Sequence, residues 1–554
     1  MEVFFSARAR VCHAPHPYPP TPTRARFQGA HRYPIGFSGD AETTWEVLRL
    51  QAYITATAAN VAFSWSHDIG GFAGSPDPEI MTRWVQLGVL SPVLRPHCAG
   101  RGGNSRDIWK FEWASYEVMK AYFRFRARLV PYLSDAWRGA YESGVVPVHP
   151  LYYDFPSLDG AYGEGALHQY KFGERMWVAP ITAPAPAEPA AAGLAPATIW
   201  FPPGEWIEWF SWQAHAAPPA GASYDRRFSI EETPIFSRPG TIVPLRTLDG
   251  TRGGVGTAVD VPDALTLWVL PPGPAAALAA GAPPLAFSAR IYDDDGVSTA
   301  YAEADAWAAT AVRCEWARAA AAAAPAKGAP AAAAAAAAAS DSVTCTISPP
   351  AGRLFAEFPA RRAWTLRFIG TWPPASVALN GAPVALDGVA APDAWGDGAA
   401  WPPGGAPAWA YAGYQASTWV HTGPLPTDAP VTLALRFPPG AAANDPLLTS
   451  ALPRKMARAA AAKTAMNIAS WTVHPVDVPA VLAAAGAGAA AEEAVWRAAE
   501  AGAPGAAAEG VRRVYEALRP SLERGVAETE ALLARGGGGA PVETMRGLLQ
   551  NALA

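Results

Sequence analysis

Residues 32–40 read RYPIGFSGD, an apolar, β-rich run that closes on a Gly–Asp pair. A helical pattern follows at once in AETTWEVLRLQAYITATAAN (41–60), with Trp45, Leu48, Ala52 and Thr55 at helical spacing. A strand that hands over to a helix through a carboxylate is how a parallel barrel presents acids at its C-terminal rim, where active sites are built. Asp40 is therefore the first candidate for chemistry. Acid–base work on a sugar or an ester needs a second group, so the rest of the chain must be searched for its partner.

The pattern continues downstream. VAFSW (61–65) reads as a short buried strand, and SHDIGG turns out of it on paired glycines. SPDPEIMTRWVQLG begins a second helix, with Asp77 as N-cap, Pro78 in the first turn and Glu79 toward the helix dipole. VLSPVLRPHC is strand-like and carries Arg95 and His97 near its end. Helical periods fill 107–143, and VVPVHPLYYDF (145–155) reads as one more strand. Alternating strand and helix predicts α/β structure with parallel strands. After about residue 166 the strands are short, broken by Pro and Gly, and not separated by helices, which predicts an antiparallel β-sandwich. A second β region begins near Leu265 and includes ARIYDDDGVSTAYAE, an acidic turn between two strands. Ala/Pro/Gly-rich segments at 183–197, 317–340 and around 388–410 are expected to be disordered insertions, because such composition builds no packed core. The last hundred or so residues are Ala-rich and helical in period, an appended tail.

Composition narrows the function. The 554 residues carry 43 Lys and Arg against 48 Asp and Glu, a formal charge of −5, with no basic stripe. That excludes nucleic acid as the expected partner. The longest apolar runs are polyalanine, so no membrane span is expected. The N-terminus has too short an apolar core for a secretory signal, while Arg8, Arg10 and a shortage of acids leave a transit peptide open. The compartment is not assigned. The four cysteines show neither metal spacing nor a disulfide framework. Cys314 and Cys345 sit on two predicted strands, either as a cross-strand disulfide or as two free, half-buried thiols. The second reading is the expectation.

Asp40, Asp68, Arg95 and His97 all stand at or just after predicted strand ends. Two carboxylates, an arginine and a histidine on one rim suit a polyol, whose hydroxyls need charged acceptors and donors. Trp65 and Phe72 flank Asp68, and aromatic faces beside carboxylates suit a sugar ring. By local pattern, Asp68 is the nominee for the partner of Asp40. Each residue also has a plainer reading. Asp40 could cap the following helix, Asp68 could be a turn residue before Gly70, His97 a loop histidine, and Arg95 a surface charge. Capping lowers a carboxyl pKa, whereas a general acid needs it raised, so the two readings of Asp40 are opposed.

The run from HRYPIGFSGDAETTWEVLRLQAYITATAANVAFSWSHDIGGF to DPEIMTRWVQLGVLSPVLRPH closely resembles glycoside hydrolase family 31, the α-glucosidases and α-xylosidases. GFSGD, TAANV, WSHDIGG and RW.Q.G..SP..R.H occur in order at the family's spacing. FPPGEWIEWFSW and ETPIFSRPGTIVPLR look like its proximal C-terminal β-domain, and YDDDGVSTAY like the distal one. The resemblance implies α/β plus all-β architecture: an unassigned segment at 1–21, the C-terminal part of a (β/α)8 barrel at 22–165, β-sandwiches at 166–247 and 248–440, and a low-complexity, mostly helical tail at 441–554. It implies retaining hydrolysis of terminal α-glucosidic or related bonds, with an oligosaccharide or α-glucoside as partner and no metal or organic cofactor. Asp40 takes the general acid/base position. Arg24, Asp68 and His97 take positions that contact sugar hydroxyls, and Phe72 and Trp65 aromatic lining positions. Asp68 thus becomes a binder rather than the catalytic partner.

The family's nucleophile is an aspartate on an earlier barrel strand. The 39 residues before Asp40 contain no Asp and one acid, Glu2. Retaining glycosidases need two carboxyl groups about 5–5.5 Å apart. Two readings follow. The sequence is a truncated form of a full α-glucosidase, which is the expectation, or it is a non-catalytic protein that binds sugar or a partner. The first expects activity only with the missing part supplied.

Overall fold

A computed structural model describes residues 35–61, 64–100, 105–248, 261–273, 284–317, 341–387, 404–438, 447, 449–472, 476–536 and 539–554. Arg24 and the segment 1–21 lie outside them, as do most of 317–340 and of 388–410.

Two short strands, β1 (Ile35–Phe37) and β2 (Ser64–Ser66), pair in parallel with Ile35 opposite Ser64 and Phe37 opposite Ser66. Helix α1 (Trp45–Thr57) connects them, and α2 (Pro78–Val89) follows β2. Asp77 caps α2 as its sequence predicts, its carboxylate accepting from the Glu79 and Ile80 amides at 2.9 Å. The strand expected at VLSPVLRPHC is reduced to one parallel bridge between Ile69 and Pro96. Val89 is still helical, and Pro92 and Pro96 cannot donate to a ladder. The Ile69 amide still donates to Arg95 O at 3.2 Å, so the three parallel segments lie side by side. Two more helices follow: α3 (Trp113–Arg128) packs on α2, and α4 (Val130–Ser143) packs on the strands Ile242–Arg246 and Leu285–Asp293 of the β region. Trp84, Tyr122 and Phe125 from these helices pack into one core with Trp209 and Trp268 from the β region.

The strand expected to end the α/β part behaves differently. Val148–Pro150 pairs antiparallel with Tyr170–Phe172 and forms the edge of a six-stranded antiparallel sheet. That sheet runs in the order Val148–Pro150, Tyr170–Phe172, Met176–Val178, Ile235–Ser237, Gly204–Glu208, Ala214–Ala217. A two-stranded ribbon, Ala195–Phe201 with Ala222–Phe228, packs on it through Ile199, Phe201 and Phe228 against Trp206 and Phe236. The segment 183–197 is part of this structure rather than a disordered insertion. Its last residues form the ribbon strand, and Leu194 and Ala195 are buried. Ala185 and Ala197 pack, half-buried, against the cluster that holds Trp206 and Phe236.

A second sandwich faces a five-stranded sheet against a six-stranded antiparallel one. Ile242–Arg246 pairs antiparallel with Ala264–Val269 in the five-stranded sheet, so this strand leaves the first β region and opens the second. The predicted acidic turn lies directly after the strand Leu285–Asp293, and there Asp294 and Asp295 accept from the amides of Gly296, Val297 and Ser298. Cys314 lies directly opposite Cys345 on antiparallel strands, and the two form a disulfide. The expectation of free thiols is therefore wrong. Register decided it, and register is not legible from two isolated cysteines.

The tail is not merely appended. Helices Leu452–Thr472, Pro479–Ala485, Ala487–Glu500, Ala507–Ala534 and Gly539–Leu553 share one core with the second sandwich, through Met456, Tyr515, Leu518 and Leu549. Tyr515 donates to Gly413 O at 2.6 Å. Toward the first sandwich, Arg454 grips Glu208 at 2.6 Å and Glu232 at 3.1 Å, and Arg458 takes Glu232 at 2.5 Å. All four side chains are buried. Among the described residues no helix is long and apolar enough to cross a membrane.

Candidate functional site

Asp40 follows β1 directly, after Gly39 in the left-handed region (φ 73°), and its side chain is exposed. It does not cap α1. Thr44 does, its hydroxyl accepting from the Val47 amide at 3.2 Å. The plainer reading of Asp40 is therefore excluded, and its carboxylate stands free of the helix end. The loop after β1 is laced to the loop after β2. Ala41 O accepts from the amides of Phe72 and Ala73, and Thr43 Oγ1 donates to the Gly70 and Ala73 carbonyls at 2.8 Å. This lacing fixes where Asp40 and Asp68 stand relative to each other.

Asp68 is fully buried (0 % exposed) just beyond the end of β2. Arg95 Nη2 donates to its Oδ1 at 2.5 Å, and the Arg95 guanidinium lies 4.9 Å over the Phe37 ring. Arg95 is thus not a surface charge. The second oxygen, Oδ2, is buried without a hydrogen-bond partner. Burial pushes the Asp68 carboxyl above the usual carboxylate range. The charges of Arg95 and His97 pull it back, the Asp40 charge pushes it up again, and burial prevails. The charges of Asp40, Arg95 and His97 therefore all reach one carboxyl.

His97 is exposed, and its ring lies 5.5 Å from that of Phe72, which is half-buried. Trp65 is 9 % exposed; its ring packs beside Ala58 and Ile54, and its indole N–H donates to Gln51 Oε1 at 3.1 Å. Of the two aromatic candidates, Phe72 is the one open to a ligand.

Two positioning groups, Arg106 and His67, carry no sequence signal. Arg106 is buried and donates to the carbonyls of Gly71 (2.6 Å) and Gly74 (2.9 Å) and to Thr43 Oγ1 (3.1 Å). It clamps the glycine turn after Asp68, and its partners lie more than thirty residues upstream. Gly70 has φ 90°, and a Cβ there would meet Arg106 Cδ at 2.5 Å, so both conformation and space demand glycine. His67, buried beside Asp68, accepts from the Trp84 indole at 3.2 Å; burial lowers its pKa to about 3, with the Arg95 charge adding to the effect, so its ring stays neutral. Among the described residues no cluster of His, Cys, Asp or Glu has the make-up of a metal site.

The arrangement offers one exposed aspartate, a buried aspartate held by an arginine, and a histidine beside an aromatic ring. Segments of the chain match known proteins. Residues 7–136 match the glycosyl hydrolases family 31 TIM-barrel domain, and residues 144–243 match the family 31 C-terminal domain. Alpha-glucosidase 2 of Bacillus thermoamyloliquefaciens is 27% identical over 288 residues, covering 51% of this chain and 32% of that protein. The alpha-xylosidase of Saccharolobus solfataricus is 29% identical over 290 residues, covering 50% and 35%. The chain thus spans about a third of the length of these curated relatives. A family 31 dextranase of Flavobacterium johnsoniae complexed with isomaltotriose shares the fold at a TM-score of 0.56 and 19% identity, covering 75% of this chain and 45% of the other. A cycloalternan-forming enzyme of Listeria monocytogenes shares it at a TM-score of 0.51 and 20% identity, covering 73% and 32%. Residues 7–136 and 144–243 thus carry the barrel and C-terminal domains of glycosyl hydrolase family 31.

Proposed function

We propose that this protein serves retaining hydrolysis of terminal α-glucosyl or related α-glycosyl residues, with Asp40 as general acid and base. The observation that supports this most is the pairing of an exposed Asp40 with a buried, arginine-held Asp68 at neighbouring strand ends. In this reading Asp40 protonates the glycosidic oxygen and then takes a proton from water. Asp68, His97 and Phe72 hold the reacting sugar, the carboxylate accepting from hydroxyls and the ring covering the apolar face. Trp65 supports that wall from behind, and Arg24 is proposed as a further hydroxyl contact. The matched relatives are named for α-glucosidic and α-xylosidic bonds, and solved neighbours hold isomaltotriose and a pentasaccharide substrate.

The reading needs a second carboxylate on the opposite face of the sugar. Asp68 does not fit that post, because Arg95 holds it and its family role is toward hydroxyls. This supports a second reading, in which residues 1–554 bind a sugar without cleaving it. An assay of the protein isolated from its natural source on an aryl α-glucoside separates the two. Activity that the Asp40→Asn variant loses supports hydrolysis. Saturable sugar binding without turnover supports the second reading.

A further inference from the structure

We propose that the cleft between the Ala195–Phe201/Ala222–Phe228 ribbon and the C-terminal helices binds a small, multiply charged anion, a phosphate ester or a polycarboxylate. Its volume is about 710 Å³, within the range of small-molecule sites. No aromatic residue lines it, which disfavours a sugar ring, and its charge is one-sided. Arg226 and Arg227 enter from the ribbon, Arg454 and Lys455 from helix Leu452–Thr472, and Arg519 from helix Ala507–Ala534. Against these five cations the wall carries, among the described residues, one acidic side chain, Asp225, which already accepts from Thr198 at 2.6 Å, and the terminal carboxylate of Ala554, so the cations stay in excess.

The cations differ in what already holds them. Arg454 is neutralised by Glu208 and Glu232. Arg519 leans on Glu523 at 3.0 Å, an exposed pair of the kind that contributes little. The Lys455 ammonium has no ion-pair or hydrogen-bond partner among the described residues; burial, and then the like charge of Arg519, lower its pKa. Arg227 pairs with no carboxylate among the described residues. The Nε of Arg226 is buried without an acceptor, while its Nη2 donates to His215. Asn551 accepts from Arg458 through its oxygen, which leaves its amide N–H groups as donors. Buried donors and neighbouring like charges that the protein leaves uncompensated are stabilised by an anion that accepts from them. The site lies on the first sandwich and the helices, apart from Asp40 and Asp68, and it does not depend on the glycosidase reading.

Isothermal titration of the whole 554-residue chain with pyrophosphate, and separately with citrate, tests the proposal. Saturable one-to-one binding of at least one anion is expected, pyrophosphate marking the phosphate class and citrate the carboxylate class. Lys455→Gln and Arg519→Gln should each weaken binding at least about tenfold, and Lys455→Arg should restore it. Both glutamine variants should keep the parent Tm, since neither breaks a buried pair. Absence of saturable binding by the parent chain, or unchanged affinity in both glutamine variants, overturns the proposal.

Discussion

Asp40 and Asp68 are two aspartates near the ends of neighbouring strands, and their surroundings make them different groups. Asp40 is exposed and takes no part in capping α1. Replacing it with Asn should therefore change stability by less than about 0.5 kcal/mol, while Thr44→Ala should cost about 1 kcal/mol. Urea denaturation of the two variants checks this. Equal and large losses would mean that Asp40 does hold the helix end. Asp68 is the opposite case. Arg95→Met would leave it buried and unpaired, at a cost on the order of 2–3 kcal/mol, somewhat below that of a fully buried pair because Arg95 is 28% exposed. The double variant with Asp68→Asn should recover part of that loss, and a double-mutant cycle that shows no coupling would contradict the pairing. The carboxylates were legible because a Gly–Asp ending and a glycine turn are local signals. Arg106 was not legible, because its acceptors are carbonyls of residues that only the fold brings near.

Elements with a hydrophobic period and a cap were readable, and those defined by register were not. α1 and α2 follow from apolar spacing, and Asp77 from its place before Pro78. The strand 145–155 looked like its predecessors, but its partner is an antiparallel strand some twenty residues later, and nothing in its own residues says so. The Cys314–Cys345 bond has the same cause, since it needs two strands paired in one register out of several. Close packing was equally hidden. A Cβ on Gly88 of α2 would lie 2.2 Å from Ile69 Cδ1, the residue next to Asp68. Gly88→Ala should destabilise the protein by about 1–3 kcal/mol through overpacking, despite the higher helix propensity of alanine. Thermal denaturation measures it, and a variant as stable as the parent would show that α2 has room to move away from the site loop.

The helical tail and the first sandwich are joined by buried charge rather than by apolar surface alone. Burial would raise the carboxyls of Glu208 and Glu232, but the Arg454 charge on both, with Arg458 on Glu232 and His215 on Glu208, takes them below the ordinary value of 4.5. A carboxyl lowered on folding stabilises the folded state above its unfolded pKa, and that contribution is lost as pH falls. His67 adds to this, since its pKa of about 3 lies below the ordinary 6.5 and the unfolded chain takes up its proton first. Stability should therefore begin to fall below about pH 6.5 and fall more steeply below 4.5. Chemical denaturation across pH 7 to 3 tests the slope. Glu208→Gln should flatten its acid limb and expose the helices to proteolysis already at pH 7. A stability that rises on acidification would mean that these charges do not join the two parts.

In the function proposed above, Asp40, Asp68, Arg95 and His97 form one sugar site that supplies a proton donor and a binding wall, and among its described residues no second carboxylate is free to attack. Water could replace that carboxylate only with a base about 6.5–9.5 Å from the acid, and Asp68 is already engaged by Arg95. The sharpest test is to purify residues 1–554 and measure aryl release from an aryl α-glucoside beside an Asp40→Ala control. Release no faster than in the control is expected. Robust turnover that disappears in Asp40→Ala would contradict this, and would show that the chain carries its own second catalytic carboxylate.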